Sequence, residues 1–500
     1  MHKKGIMRQA GPLLVARGAA TVLGFGLPLL LVRLLDQTSF GVYKQVWLVA
    51  TSAFLMLQMG LTASLYYFLP RRDGNGAAYL TQSLASVTVF GALGAFGVYL
   101  ARFALARHFN TPELAGYAVP MALLAFTLTA TTPLEPALLA RGQVKLSAAT
   151  NFVSEIVRVV ASIIPLLLGY GLKGFFWAYV AHGVLRCIAC VVLLIQTGGP
   201  RIDWKLFRGQ LAYALPFGAA ILFETPQRSL HLWAVGGTVG AAAFAIYSQG
   251  CFQIPIVNLL YSPISDVLQV RLNEPGGRGH AVHLFHDANL RLAVILLPFT
   301  ACMVAAGSLF IPALFTHQYD ASIPIFRVAV LSAIMSSLPI DATLRALGQT
   351  RYMFNAFFWR LLATAAFVLA GLHFFGMLGA ISGHLIAEGV VRTAMLDRIR
   401  RELGSKWRDM LPWAELRHVA IASLAGCVPV VVIARYAYSG ARPLLALFAA
   451  GAAYGVVYLA ILAFHPGTGT PVDRLKRMLF GAHDEPLTVA APEPVPARAA

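Results

Sequence analysis

Charge is scarce in this chain. Only 12% of its 500 residues are Asp, Glu, Lys or Arg, about half the share of roughly 25% found in soluble domains. Hydrophobic residues make up 58%, and the mean hydropathy is +0.70. So little charge excludes a water-soluble fold. Acids are scarcer than bases, 21 against 39, for a net charge of +18. That excess does not mark a nucleic-acid binder, because the basic residues are spread over short loops and form no patch on a soluble domain. Cysteine is sparse too. Cys187, Cys190, Cys251, Cys302 and Cys427 all lie in apolar runs. Cys187 and Cys190 have the spacing of half a metal or redox site, but no second pair completes it, and they read as small apolar filler. His280, His283, His286 and Asp287 share a loop, yet on a helix the outer histidines diverge by about 120°, so a solvated face is expected there rather than a metal. No Gly-Lys-Ser/Thr phosphate loop, nucleophile elbow or zinc motif occurs. Nothing argues for an enzyme, and no cofactor is implied.

What the chain has in quantity is apolar runs longer than 18 residues, each able to cross a hydrocarbon layer about 30 Å thick as a helix. They lack the ten-residue alternation of barrel strands, so helices must satisfy the backbone. The fold class is an all-α polytopic membrane protein. About fourteen spans are expected, at 10–35, 40–69, 77–106, 112–140, 146–170, 172–197, 209–235, 241–270, 288–315, 322–347, 352–373, 375–397, 417–437 and 443–464. The first is too long for the core of a cleaved secretory signal. Lys and Arg gather in alternate loops, from Lys3, Lys4 and Arg8 through Arg141 and Lys145 to Arg474, Lys476 and Arg477. The intervening loops hold only Arg107, Lys173, Arg435 and Arg442. By the positive-inside rule both termini are cytoplasmic. The tail, 466–500, ends in APEPVPARAA and has nothing to bury.

The chain also repeats itself. LEPALLARGQVK at 134–145 returns as IDATLRALGQTR at 340–351, an offset of 206. Phe40-Gly-Val-Tyr-Lys-Gln45 answers Phe244-Ala-Ile-Tyr-Ser-Gln249, Gly183-Val-Leu-Arg186 answers Gly389-Val-Val-Arg392, and Arg158 answers Arg360. Four matches in order at nearly one offset imply two pseudo-symmetric six-helix lobes, 1–200 and 201–410, with two further helices in 411–465. An even helix number gives both lobes the same orientation, the parallel-repeat plan of two-lobed secondary transporters.

Charges inside spans are functional candidates by default. Glu155/Arg158, Glu224/Arg228, Asp341/Arg345 and Glu388/Arg392 have helix-face spacings, so local pairing competes with function for each. Arg17 and Arg360 have no acid within a turn. Snorkelling accounts for the shallower Lys44 and Arg327. Unpaired cations suggest an anion cavity, with phosphate suiting Arg. Gln45, Gln58, Gln227, Gln249, Gln253 and Asn258 would suit a hydroxyl-rich head group or bridge helices. Glu135 has no base at helix spacing. It and its counterpart Asp341 are candidates for a proton or sodium ion, or for pairing with an Arg on another helix.

Ser39-Phe-Gly-Val-Tyr-Lys-Gln45, Gly60-Leu-Thr-Ala-Ser-Leu-Tyr-Tyr-Phe-Leu-Pro-Arg71, Ala245-Ile-Tyr-Ser-Gln249 and the Leu-Gly-Gln-Thr-Arg351 turn resemble polysaccharide biosynthesis flippases. Their superfamily also contains multidrug antiporters and lipid II flippases, and the resemblance covers about residues 8–465. It implies a cationic central cavity lined mainly by spans 1, 2, 7 and 8. It also implies movement of an undecaprenyl-diphosphate-linked oligosaccharide from the cytoplasmic to the periplasmic leaflet of the bacterial inner membrane, for O-antigen or exopolysaccharide export. Cargo-binding candidates are Arg17, Lys44, Gln45, Arg228 and Gln249. Glu135, Glu224 and Asp341 are the candidates for ion coupling or inter-lobe pairing. The expected partners are the lipid-linked oligosaccharide, membrane lipids and the polymerase and chain-length machinery of the same pathway. A multidrug cation antiporter and a non-transporting partner of a polysaccharide synthase are the alternatives.

Overall fold

The computed structural model describes residues 4–70, 74–252, 254–274, 276–437 and 443–463, and all regular structure among them is helical. The tail 466–500 and Gln253 lie outside the described residues. In chain order the helices begin α1 (Lys4–Leu34), α2 (Gln37–Leu57), α3 (Leu61–Phe68), α4 (Gly76–Leu100), α5 (Arg102–His108), α6 (Ala118–Ala130) and α7 (Leu134–Ala140). They continue α8 (Val144–Leu167), α9 (Gly171–Gln196), α10 (Trp204–Gly236), α11 (Ala241–Gly250), α12 (Ile256–Asn273) and α13 (Ala281–Phe315). The last are α14 (Ile323–Ala329), α15 (Ser332–Met335), α16 (Ile340–Ala346), α17 (Thr350–Glu402), α18 (Trp413–Ala437) and α19 (Pro443–Ala463).

Among the described residues, 10 helical segments are long and apolar enough to cross a membrane. The chain is therefore a multi-pass membrane protein. The difference from about fourteen has local causes. The windows 352–373 and 375–397 are the two arms of α17, which bends at Gly376 and counts as one segment. Window 241–270 is split into α11 and α12 just before and after Pro255, which cannot continue a helix ladder. Helix α10 carries Glu224 and Arg228 in mid-length, and the apolar part of α1, Gly18–Leu34, is short. Large apolar side chains point outward, Phe96 at 61% and Phe448 at 75% exposure. Lipid, not water, is the solvent those surfaces suit.

Two compact units form by contact. The first comprises Met1–Pro255, Phe310–Ala329 and Arg351–Thr393; the second comprises Ile256–Leu309, Val330–Thr350 and Ala394–Ala500.

In the first unit, Asp36 caps α2 by accepting from the Thr38 and Ser39 amides at 3.0 and 3.2 Å. Asp203 does the same for α10, accepting from Lys205 and Leu206 at 2.9 and 3.1 Å. Between α2 and α3 the backbone turns through two positive φ angles, 47° at Met59 and 71° at Gly60. Gly218 of α10 fits against that break, where a Cβ would come 2.6 Å from the Met59 carbonyl carbon. Helices α2 and α11 approach more closely still: a Cβ on Gly41 would lie 1.9 Å from the Ala241 oxygen. Helix α17 folds back on itself at Gly376, whose φ of 61° and ψ of −146° only glycine adopts readily. The two arms then touch backbone to backbone through Gly371, Gly379 and Gly383.

In the second unit, α18 and α19 pack on α13 around Val294, Ala306, Val419, Val430 and Tyr454. The phenol of Tyr458 donates to the Val294 carbonyl at 2.8 Å, satisfying a polar group that lipid would leave unpaired.

The duplicated turn shows why its glycine recurs. Gly142 and Gly348 have φ of 75° and 74°. Gln143 N donates to Leu138 O at 2.9 Å, and Gln349 N donates to Leu344 O at 2.9 Å. Both are Schellman caps, in which an αL residue lets the last carbonyls find partners.

Candidate functional site

Residues Lys44, Leu48, Thr51, Leu55 and Gln58 are spaced by four, three, four and three along α2, so they form one helical stripe. The other side of α2 buries Val42, Val46 and Val49. The stripe lines a cavity of about 530 Å³, faced across the gap by Glu224, Arg228 and His231 of α10 and by Ser248 of α11 and Cys251 at its end. Helix α2 belongs to the first sequence repeat, α10 and α11 to the second, so this is an inter-repeat cavity. Arg228 and Glu224 pair at 2.6 Å, with side chains 67% and 43% exposed. Such a pair is worth little and can open to admit another anion. Lys44 has no carboxylate within ion-pair distance among the described residues; its ammonium lies 5.3 Å from the centre of the Phe40 ring. Of the two readings open for Lys44, snorkelling and a cavity cation, its place in the walls of two cavities favours the second.

A second cavity, of about 540 Å³, lies within the first repeat among α1, α2 and α6–α9. Lys44 and Trp47 line both cavities. Here the charges are engaged with one another. Glu135 accepts from Asn151 Nδ2 at 2.8 Å and pairs with Arg186 at 3.3 Å. Arg186 also donates to Ser154 Oγ at 3.1 Å, and His182 sits 2.9 Å from the same hydroxyl. Arg158 pairs with Glu155 and donates to Tyr179 Oη at 3.0 Å. Each carboxylate thus has its own guanidinium, and Lys44 is the uncompensated cation of the wall.

The second repeat pairs its charges differently. Arg360 meets Glu388 at 3.4 Å, and Arg392 meets the same carboxylate at 2.5 Å. Arg360 is therefore not an isolated cation, contrary to expectation. Its partner lies on the opposite arm of α17, beyond the reach of helical spacing.

The remaining candidates are distributed as follows. Arg17 is on α1, its side chain outside the described residues, as is that of Asn258. Gln45 and Gln249 are both fully buried. Gln45 donates to Thr111 Oγ1 at 3.1 Å, inside the protein and away from both cavities. Gln227 bridges helices by donating to the Phe357 carbonyl at 2.6 Å. Arg327 is exposed on α14. Asp341 belongs to the second unit, half-buried on α16, and among the described residues it makes no ion pair with Arg345. The histidine cluster, expected in a loop, runs into the start of α13; there His286 meets the Asp409 carbonyl at 2.8 Å and Asp287 pairs with Arg291 at 2.9 Å. Sequence reasoning missed Trp47, Thr51 and Ser52, although Trp47 and Thr51 stand three and seven residues after Lys44, on its helix face.

The fold is shared with solved structures that are 13–17% identical in sequence. A structure described as lipid II flippase MurJ in an inward closed conformation superposes with TM-score 0.70 at 13% identity, covering 90% of this chain and 98% of that one. A structure described as an inward-facing multidrug resistance MATE family transporter of the MOP superfamily gives TM-score 0.62 at 14% identity, covering 77% and 94%. A MOP superfamily transporter from Pyrococcus furiosus, described by a reversed polarity of its binding pocket, gives 0.55 at 17%, covering 81% and 97%. No curated protein matches in sequence. Residues 30–324 match the family described as polysaccharide biosynthesis protein. The chain belongs to that family.

Proposed function

We propose that the protein is a flippase for an undecaprenyl-diphosphate-linked oligosaccharide. It carries its cargo from the cytoplasmic to the periplasmic leaflet of the bacterial inner membrane by alternating access of two repeat-related lobes. Both termini are cytoplasmic. One observation carries this reading: an uncompensated ammonium, Lys44, on the wall of a cavity between the repeats, opposite Arg228, whose carboxylate partner is weakly held. A phosphate oxygen brought within 4 Å of Lys44 gains about 4 kcal/mol at an effective dielectric of about 20. Arg228 supplies a second contact once Glu224 lets go. Trp47 offers an apolar face, and Thr51, Ser52, Gln58 and Ser229 offer hydroxyls and an amide to sugars. The family supports polysaccharide synthesis as the setting, and the fold supports transport. A drug-cation antiporter is disfavoured, because Lys44 would repel its cargo.

Glu135, Glu224 and Asp341 remain the carboxylates proposed for coupling or pairing. Of these, Glu224 acts at the cargo site by releasing Arg228. The test replaces Lys44 with Met and Arg228 with Met separately in cells that depend on this protein for glycan export. Cargo binding should fall roughly tenfold or more in each, with export lost and membrane insertion intact. Normal export in both variants would remove the diphosphate assignment.

A further inference from the structure

A second group of titratable side chains stands apart from the cargo-facing charges. His231 of α10 reaches the edge of the inter-repeat cavity although only 5% exposed. Its Nδ1 is 2.8 Å from Tyr247 Oη on α11 and 3.9 Å from Sγ of Cys251, which caps the end of that helix. Its ring centre lies 4.8 Å from that of His384, on the second arm of α17. His384 Nδ1 is buried and has no hydrogen-bond partner among the described residues. One turn further on is Glu388, gripped by Arg360 and Arg392. Two imidazoles in contact thus connect the cavity with an ion-paired carboxylate inside the second repeat.

A buried ring nitrogen with no hydrogen-bond partner can take up or release a proton without breaking a hydrogen bond. Two neutral rings in contact can accept a single proton and share its charge. A second would place like charges in contact, with Glu388 already matched to two guanidinium groups and unable to compensate. The other groups facing the pair are Tyr247 from α11 and Cys251 at its end, Lys44 from α2, and Glu224 and Arg228 on the cavity face of α10. None of them offers a free carboxylate.

We propose that His231 and His384 form a proton-binding site of the second repeat, loaded from the inter-repeat cavity and held to one proton by their contact. Charging the pair repels Arg360 and attracts Glu388, so the proton biases the arms of α17 toward a different arrangement. Proton binding itself does not depend on what the cavity carries; its consequence for transport rests on the flippase reading.

The test follows the imidazole signals of isotopically labelled histidines by NMR, with the whole protein in lipid nanodiscs, across about pH 5 to 8, where histidine titrates. His231→Gln and His384→Gln assign the signals, and Tyr247→Phe removes one hydrogen bond while leaving both rings. The titration curve of His231 should change shape in His384→Gln, and the curve of His384 should change in His231→Gln. Tyr247→Phe should alter the His231 curve. Identical His231 curves with and without His384, or rings that do not titrate across the range, would overturn the proposal. Flipping of lipid-linked oligosaccharide in proteoliposomes is then measured against pH. Coupled titration without flipping removes the cargo assignment and keeps the proton site; flipping with uncoupled titration does the reverse.

Discussion

At the scale of single residues, the charges inside the helices are mostly matched, and sequence spacing shows only some of the matches. The i+3 and i+4 pairs Glu155/Arg158, Glu224/Arg228 and Glu388/Arg392 form. Asp341 and Arg345 have the same spacing and make no ion pair among the described residues, because spacing permits a contact without requiring it. The pairs Glu135/Arg186 and Arg360/Glu388 join different helices or arms and leave no periodic trace. If Glu135 acts by pairing, Glu135→Gln and Arg186→Gln should each destabilise the protein by about 1–3 kcal/mol, since each strands a largely buried charge. The double variant should lose less than the sum, measured by thermal unfolding in detergent; strict additivity would argue for independent roles. Asp36 gives a second residue-scale prediction. The Ser39 hydroxyl, then the Ser39 and Thr38 amides, hold its carboxyl below the ordinary aspartate value of 3.8. A lowered value stabilises the fold above the unfolded-state value, and that contribution is lost as pH falls through the folded-state value. Asp36→Ala should cost about 1 kcal/mol near neutral pH. The gap to wild type should shrink as pH falls below 3.8.

At the scale of elements, close backbone approach sets the architecture. The arms of α17 touch where a Cβ on Gly379 would stand 1.9 Å from the Gly371 oxygen. Gly379→Ala should therefore part the arms at a cost of roughly 1–3 kcal/mol, read as a lowered unfolding temperature. Gly376→Ala meets open space but a forbidden backbone angle, so it tests conformation alone. The sequence placed a break near this point, because two spans cannot fit into one membrane crossing. It did not show that the break is a single glycine, nor that the arms press together. The split between α2 and α3 was likewise hidden, since Met59 holds a positive φ that its residue type does not advertise.

At the scale of the whole molecule, the first unit joins the two repeats tightly at the end where α2 begins. Arg33 donates to the Leu314 and Ala313 carbonyls at 2.9 and 3.3 Å, and Gln37 donates to the Gln318 carbonyl. Asn110 donates to the Gly237 carbonyl at 3.2 Å. If this end opens during transport, a short bifunctional thiol cross-linker between Asn110→Cys and Gly237→Cys should arrest export, with the five native cysteines replaced. A cleavable linker should restore it on reduction; uninterrupted export under full cross-linking would mean that this end stays shut. Four short matches at nearly one offset divide the chain by sequence. The grouping of Phe310–Ala329 and Arg351–Thr393 with the first 255 residues does not follow that division, because a sequence pattern does not record contacts whereas packing follows them.

Lys44 faces two chambers with one ammonium. A negatively charged guest in either chamber draws on the same charge, so the two guests are antagonists. By reciprocity, whatever factor an occupant of the intra-repeat chamber takes from cargo affinity, cargo must take from the affinity of that occupant. If Lys44 holds cargo as proposed, its arrival would double as an eviction signal to the intra-repeat chamber.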